Sequence, residues 1–274
     1  ITKRNGKQAV NLMTYNEFFR KAKESNIPLA DIRVVFNGYF NMPFDYLGIH
    51  GDEEAKGGDE VLEKLRNGYP SNYLAGYIDI LSLHILLNES TLIPRNETAD
   101  FIYNYLYQQN LSGKKILDLC TGSGIIAIAI KKKFPDAVVY ASDISSDALA
   151  IAKESSEINN TDITFIKSDF LEDIHDRFDI IISNPPYIEE GSNNVDAPFE
   201  PRIALFSGKD GLDSYRSIFK SLSAHLNENG KAYFELESTN SMNTEKLFKK
   251  INKDRYHTRI WKDSYDRDRY LIIS

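Results

Sequence analysis

The sequence predicts an α/β fold, a doubly wound sheet of seven strands preceded by a small helical domain and a connecting β-hairpin. Three observations carry this. From Lys115 onward, short β-branched runs alternate with amphipathic stretches, the pattern of a parallel sheet covered on both faces. Several of those runs end in turns rich in glycine, proline or acidic residues, at the edge where an open parallel sheet binds ligands. From Thr14 to about Gly68, by contrast, apolar residues fall at helical spacing, as in Phe18, Phe19 and Ala22, then Ile32, Val35 and Phe36, then Val61, Leu62 and Leu65.

Taken in order, residues 1–12 are set aside as a candidate extension, vector-derived or trimmed, because the chain does not begin with methionine. Residues 1–72 form the helical domain, interrupted at Gly51 to Asp59 by a run dense in Gly, Asp and Glu that reads as a solvated loop. Residues 73–92 alternate and read as a hairpin linking the two domains. Residues 93–274 form the α/β domain. Its strands are expected at Ile116 to Leu119, Val138 to Ala141, Ile163 to Ile166, Ile180 to Ser183, Lys231 to Leu236, Tyr256 to Trp261 and Tyr270 to Ile273. Helices are expected from Phe101 through Tyr105, at Ile125 to Lys132, Ala148 to Ile158 and Leu212 to Leu226.

Composition narrows the function. A net charge of -7 and a pI near 5.4 argue against a protein that grips nucleic acid mainly through phosphates. The single cysteine, Cys120, excludes an internal disulfide and fits a reducing compartment. No apolar run approaches the roughly 20 residues that span a bilayer, and the first residues are too polar for a secretory signal, so a soluble, cytoplasmic protein with no membrane partner is expected. The five histidines show no ligand spacing, and no metal is indicated.

The stretch Asp179 to Tyr187 reads Asp-Ile-Ile-Ile-Ser-Asn-Pro-Pro-Tyr. Three isoleucines suit a strand buried on both faces, and two prolines end it, so Asn184 is delivered at a carboxyl end. Pro185 has no N–H, which leaves its surroundings rich in acceptors. The amide oxygen of Asn184 and a neighbouring carbonyl can together accept both hydrogens of a planar NH2 group, and Tyr187 offers a flat face to stack on it. The alternative for four such residues is a turn with a strand-ending aromatic.

Upstream, Cys120-Thr121-Gly122-Ser123-Gly124 lets a turn approach a ligand closely and opens onto a helix. Gly122-x-Gly124-x-x-Ala127 also satisfies a dinucleotide pattern, so this Rossmann-like loop does not separate NAD from S-adenosylmethionine. Asp143 is placed to accept both hydroxyls of a ribose, or else to cap the helix that follows. Asp169 and Phe170 suit an adenine, the acid accepting from its amine and the ring packing on its face. Asp169 also reads as an ordinary loop acid. Cys120 reads as a small filler, with no cationic partner to activate its thiol.

The ordered series Leu92-Ile-Pro-Arg95 with Glu97-Thr98, Asp118-Leu-Cys-Thr-Gly-Ser-Gly124, Asn184-Pro-Pro-Tyr187, Phe199-Glu-Pro-Arg-Ile-Ala-Leu205, Gly208-Lys-Asp-Gly-Leu-Asp213 with Tyr215-Arg216, and Arg267-Asp-Arg269 resembles the class I S-adenosylmethionine-dependent methyltransferases. Within them it is similar to the glutamine-N5 methyltransferases of peptide chain release factors. The resemblance implies that Cys120, Thr121, Gly122, Ser123, Gly124, Asp143, Asp169, Phe170 and Asn184 line S-adenosylmethionine, with S-adenosylhomocysteine as product. It implies that Asn184, Pro185, Pro186 and Tyr187 hold the glutamine of a Gly-Gly-Gln loop, with Asn184, Pro185 and Tyr187 serving the transfer. The helical domain is expected to help dock the protein substrate. The chain departs from the family at Cys120, where glycine is usual, and at Asn96-Glu97-Thr98-Ala99, where Pro-Glu-Thr-Glu is usual. Glutamine methylation of a ribosomal protein, N6-adenine methylation of nucleic acid, and a cofactor-binding interaction module without activity are the competing readings.

Overall fold

A computed structural model describes residues 12–192 and 197–274, so the candidate extension lies, except for Leu12, outside the described residues. The chain divides into two compact units, Ile1–Gly76 and Tyr77–Ser274.

In the first unit, helices Tyr15–Glu24, Leu29–Asn37 and Gly58–Arg66 turn their apolar stripes inward, burying Phe18, Ala22, Ile32, Val35, Phe36, Val61 and Leu62. Phe18, Phe36 and Phe40 meet edge to face at centroid separations of 5.0–5.7 Å. The acidic loop is less solvated than its composition suggests. Ala55 is 3 % exposed because its N–H donates to the Met13 carbonyl, pulling the loop onto the core.

The second unit begins with a hairpin, β1 (Tyr77–Ile80) and β2 (Leu83–Leu86), which follows a short helix, Ser71–Ala75. Its turn residues Leu81 and Ser82 both have positive φ, the geometry of a two-residue turn that Asn-Gly would announce. The hairpin is fastened to the helix Ser146–Ile158 and its cap. Asn159 imitates a strand neighbour, accepting from the His84 N–H at 3.1 Å and donating to the His84 carbonyl at 2.7 Å.

Seven strands make the sheet: β3 (Lys115–Leu119), β4 (Val138–Asp143), β5 (Thr164–Lys167), β6 (Phe178–Ser183), β7 (Leu226–Glu235), β8 (Thr258–Lys262) and β9 (Asp268–Ile273). Their order is β5-β4-β3-β6-β7-β9-β8, with β9 antiparallel to both of its neighbours. Crossover helices Ile125–Lys133, Ser146–Ile158, Asp213–His225 and Ser241–Asn252 cover it. One face packs on Tyr215, Ile218, Phe219, Leu222 and Phe248. Behind β7 and β9, Phe101 stacks on Tyr270 at 3.6 Å and meets Trp261 edge-on at 5.2 Å. Strand order reverses at β3. Leu119 is in register with Ser183, so the glycine turn and Asn184 leave the sheet side by side.

Candidate active site

A cavity of about 230 Å³ opens at that reversal point. Cys120 to Ser123, Asp143, Asp169, Phe170, Asn184 and Pro186 line it. Gly124, Pro185 and Tyr187 do not.

The glycine turn is shaped by its backbone. Cys120, Gly122 and Gly124 have φ of 61°, 54° and 87°. A Cβ at Gly122 would meet nothing within 4 Å, so the turn presents bare backbone to the cavity. At Gly124 the hydrogen serves packing instead. A Cβ there would come to 3.1 Å from the Ala152 Cβ and 3.2 Å from the Ile128 Cδ1, so this glycine seats its helix and lies outside the cavity wall. The Cys120 thiol is pushed up, by burial and by Asp143, well above its ordinary range and stays protonated at neutral pH, as a filler would.

Asp143 ties the turn to the next helix. One carboxylate oxygen accepts from the Gly122 N–H at 2.9 Å and the other from the Ser145 N–H at 2.9 Å. The cap itself is Ser145, whose Oγ accepts from Ala148 N at 3.1 Å. Burial raises the Asp143 pKa above the usual carboxylate value. Each oxygen keeps a lone pair for a further donor. Phe170 stands at φ 48° on the turn after β5.

On the acceptor side, the Asn184 side chain is half-buried at the cavity wall and makes no hydrogen bond to any described residue. The Pro185 carbonyl likewise accepts none among the described residues. Two acceptors are thus left open next to each other. Tyr187 is turned away. Its ring packs against the sheet core, its N–H donates to the Leu205 carbonyl at 3.2 Å, and its hydroxyl reaches the Glu235 carboxylate at 3.4 Å. Its place is behind the acceptor turn, not the stacking face the sequence suggests.

Three acids escaped the sequence reading as site residues. Asp118 is fully buried under the glycine turn, where Oδ2 accepts from the Thr121 hydroxyl at 2.6 Å and Ala127 N at 3.1 Å. Its Oδ1 has no partner among the described residues, and burial pushes its pKa up to about 7. Glu200 accepts from Ile93 N at 3.0 Å and pairs with Arg95 at 2.5 Å, joining the segments that carry Leu92, Pro94 and Arg95 on one side and Ile203, Ala204 and Phe206 on the other. Glu235 is buried behind them. The signal for two of the three was present: Asp118 and Glu235 are lone acids inside apolar strands, where an unpaired carboxylate is costly.

Residues 97–199 match the family model of the methyltransferase small domain. The fold is similar to that of the T. thermophilus 16S rRNA N2 G1207 methyltransferase, solved with AdoMet and guanosine, at a TM-score of 0.52 and 17% identity over 72% of this chain and 49% of that one. The fold is that of the class I S-adenosylmethionine-dependent methyltransferases. Relatives narrow the class. The release factor glutamine methyltransferase of Lactococcus lactis is 37% identical over 81% of this chain and 83% of its own length. That of Flavobacterium psychrophilum is 38% identical over 79% of each. The chain belongs to the release factor glutamine methyltransferase family.

Proposed function

We propose that the protein transfers a methyl group from S-adenosylmethionine to the side-chain amide nitrogen, N5, of the glutamine in the Gly-Gly-Gln motif of peptide chain release factors, in the cytoplasm. The observation that carries this is the pair of open acceptors: Asn184 on the cavity wall that the glycine turn also lines, and the Pro185 carbonyl next to it in the chain. Family membership supports the protein substrate, and the first unit, Ile1–Gly76, is the proposed docking domain.

The residues present fit the cofactor. The bare backbone at Gly122 leaves room for its methionine portion, the spare lone pairs of Asp143 suit ribose hydroxyls, and Asp169 with Phe170 suits adenine. When bound, S-adenosylmethionine supplies an electrophilic methyl group on its sulfonium. The remainder falls to the chain. Amide nitrogen is a poor nucleophile because its lone pair is delocalised. Asn184 Oδ1 and the Pro185 carbonyl each accept one of its hydrogens, which draws electron density back to nitrogen and aims it, so catalysis rests on orientation and local electrostatics. Pro186 shapes the wall beside it, and Tyr187 holds the turn from behind.

The test is incubation of the protein with isotope-labelled cofactor and a release factor carrying its Gly-Gly-Gln loop, with mass spectrometry to locate the added methyl. Modification at that glutamine, abolished when it is changed to alanine, is expected. Asn184→Ala should lose at least about 100-fold in turnover while melting like the wild type. Transfer only to a ribosomal protein or to adenine, or full turnover by a folded Asn184→Ala protein, would overturn the assignment.

A further inference from the structure

The geometry points to Glu235 as a positioning residue that joins one wall of the cavity to the turn behind it and thereby aims Asn184. Glu235 ends β7 and is 1 % exposed. Oε2 accepts from the Thr98 hydroxyl at 2.8 Å and from the Tyr270 hydroxyl at 2.6 Å, and Oε1 accepts from the Tyr187 hydroxyl at 3.4 Å. The Tyr215 hydroxyl donates to its main-chain carbonyl at 2.5 Å. Arg269, which pairs with Glu97 and Asp263, supplies a compensating positive charge.

The two ends of this network differ in what they hold. Thr98 lines the cavity from the helix Asn96–Asn104, whereas Tyr187 lies behind it, three residues past Asn184. Thr98 and Tyr187 are therefore held by opposite oxygens of one buried carboxylate. Tyr270 fixes that carboxylate to β9, and Tyr215 fixes the main-chain carbonyl of Glu235 to the helix Asp213–His225, so the residue is a rigid post. Asn184 itself has no hydrogen bond among the described residues to orient it. Its direction depends on the short turn to Tyr187, and that turn is pinned at Leu205 by the backbone and at Glu235 by the phenol. Removing the carboxylate's hold leaves both acceptors in place and lets them point elsewhere.

This inference rests on the proposed glutamine transfer, and the experiment separates the two. Single-turnover rates, substrate KM and cofactor affinity by calorimetry are measured for Glu235→Gln, Tyr187→Phe and the double variant. The expected result is that Glu235→Gln slows transfer about tenfold and leaves cofactor affinity within about twofold, while in the Tyr187→Phe background the same change costs less than about threefold. An equal loss in both backgrounds shows that Glu235 acts only through general stability and overturns the inference. Should Glu235→Gln fail to fold, the cycle is run between Thr98→Val and Tyr187→Phe, whose hydroxyls meet through this carboxylate. Additive losses there are equally fatal. A wild-type protein that transfers nothing to glutamine sinks the proposed function, and this inference with it.

Discussion

Removing the Glu200 carboxylate should loosen the acceptor wall by an amount that separates its two bonds. Glu200→Ala leaves the N–H of Ile93, a residue 9 % exposed, without its acceptor, which costs about 1–3 kcal/mol. The Arg95 partner is 37 % exposed, so loss of the ion pair adds less than about 1 kcal/mol after solvent screening. The sum is about 1–4 kcal/mol. A unit the size of Tyr77–Ser274 loses about 2–4 °C of melting temperature per kcal/mol, so Glu200→Ala should melt about 2–16 °C lower. Glu200→Gln keeps an acceptor for Ile93 N and should cost about 1 kcal/mol or less. Differential scanning calorimetry of the two variants beside the wild type decides it. Equal losses would refute the reasoning, because they would mean that the exposed ion pair, and not the buried N–H, carries the effect.

Asn159→Ala should remove the false strand partner of β2 at a cost of about 2–3 kcal/mol, read as faster hydrogen exchange at the His84 amide. Gly124→Ala places a Cβ against Ala152 at positive φ and should destabilise by about 1–3 kcal/mol, seen as a lower denaturant midpoint with unchanged slope. The Asp118 carboxyl titrates at about 7 in the fold against 3.8 ordinarily. Between those values the folded state binds the extra proton, so this group's contribution to stability falls as pH rises from about 4 to about 7. Asp118→Asn should flatten that fall, and unfolding curves of the two proteins that keep the same spacing from pH 4 to pH 8 would count against it.

Much of this architecture was written in periodicity. The strands β3, β4 and β6 are near-continuous apolar runs closed by turn residues, and such runs are legible because both their faces are buried. The helix Ser241–Asn252 was missed: Leu247, Phe248 and Ile251 pack inward, but the stripe opens on polar Ser241 and Thr244 and is set amid lysines and asparagines that mask it. Strand order was not legible either. That β9 inserts antiparallel between β7 and β8 follows from long-range pairing, which local pattern does not encode. At the site, Asn184 and the glycine turn announced themselves by residue type and spacing. The part of Tyr187 did not, because a tyrosine three residues past a strand looks the same whether its ring faces a ligand or a buried acid. Glu200 and Glu235 find their partners 35 to 137 residues away in the chain, and only folding brings them there.

The ring stack behind β7 and β9 has a practical use. Trp261 is the sole indole in the chain, so its fluorescence reports unfolding of Tyr77–Ser274 without any signal from the helices before it. It also lies one ring from the acid at the back of the cavity, since Tyr270 touches Trp261 at 6.3 Å and donates to Glu235 at 2.6 Å. A shift in emission on filling the cavity would make the protein its own optical sensor, with no dye attached.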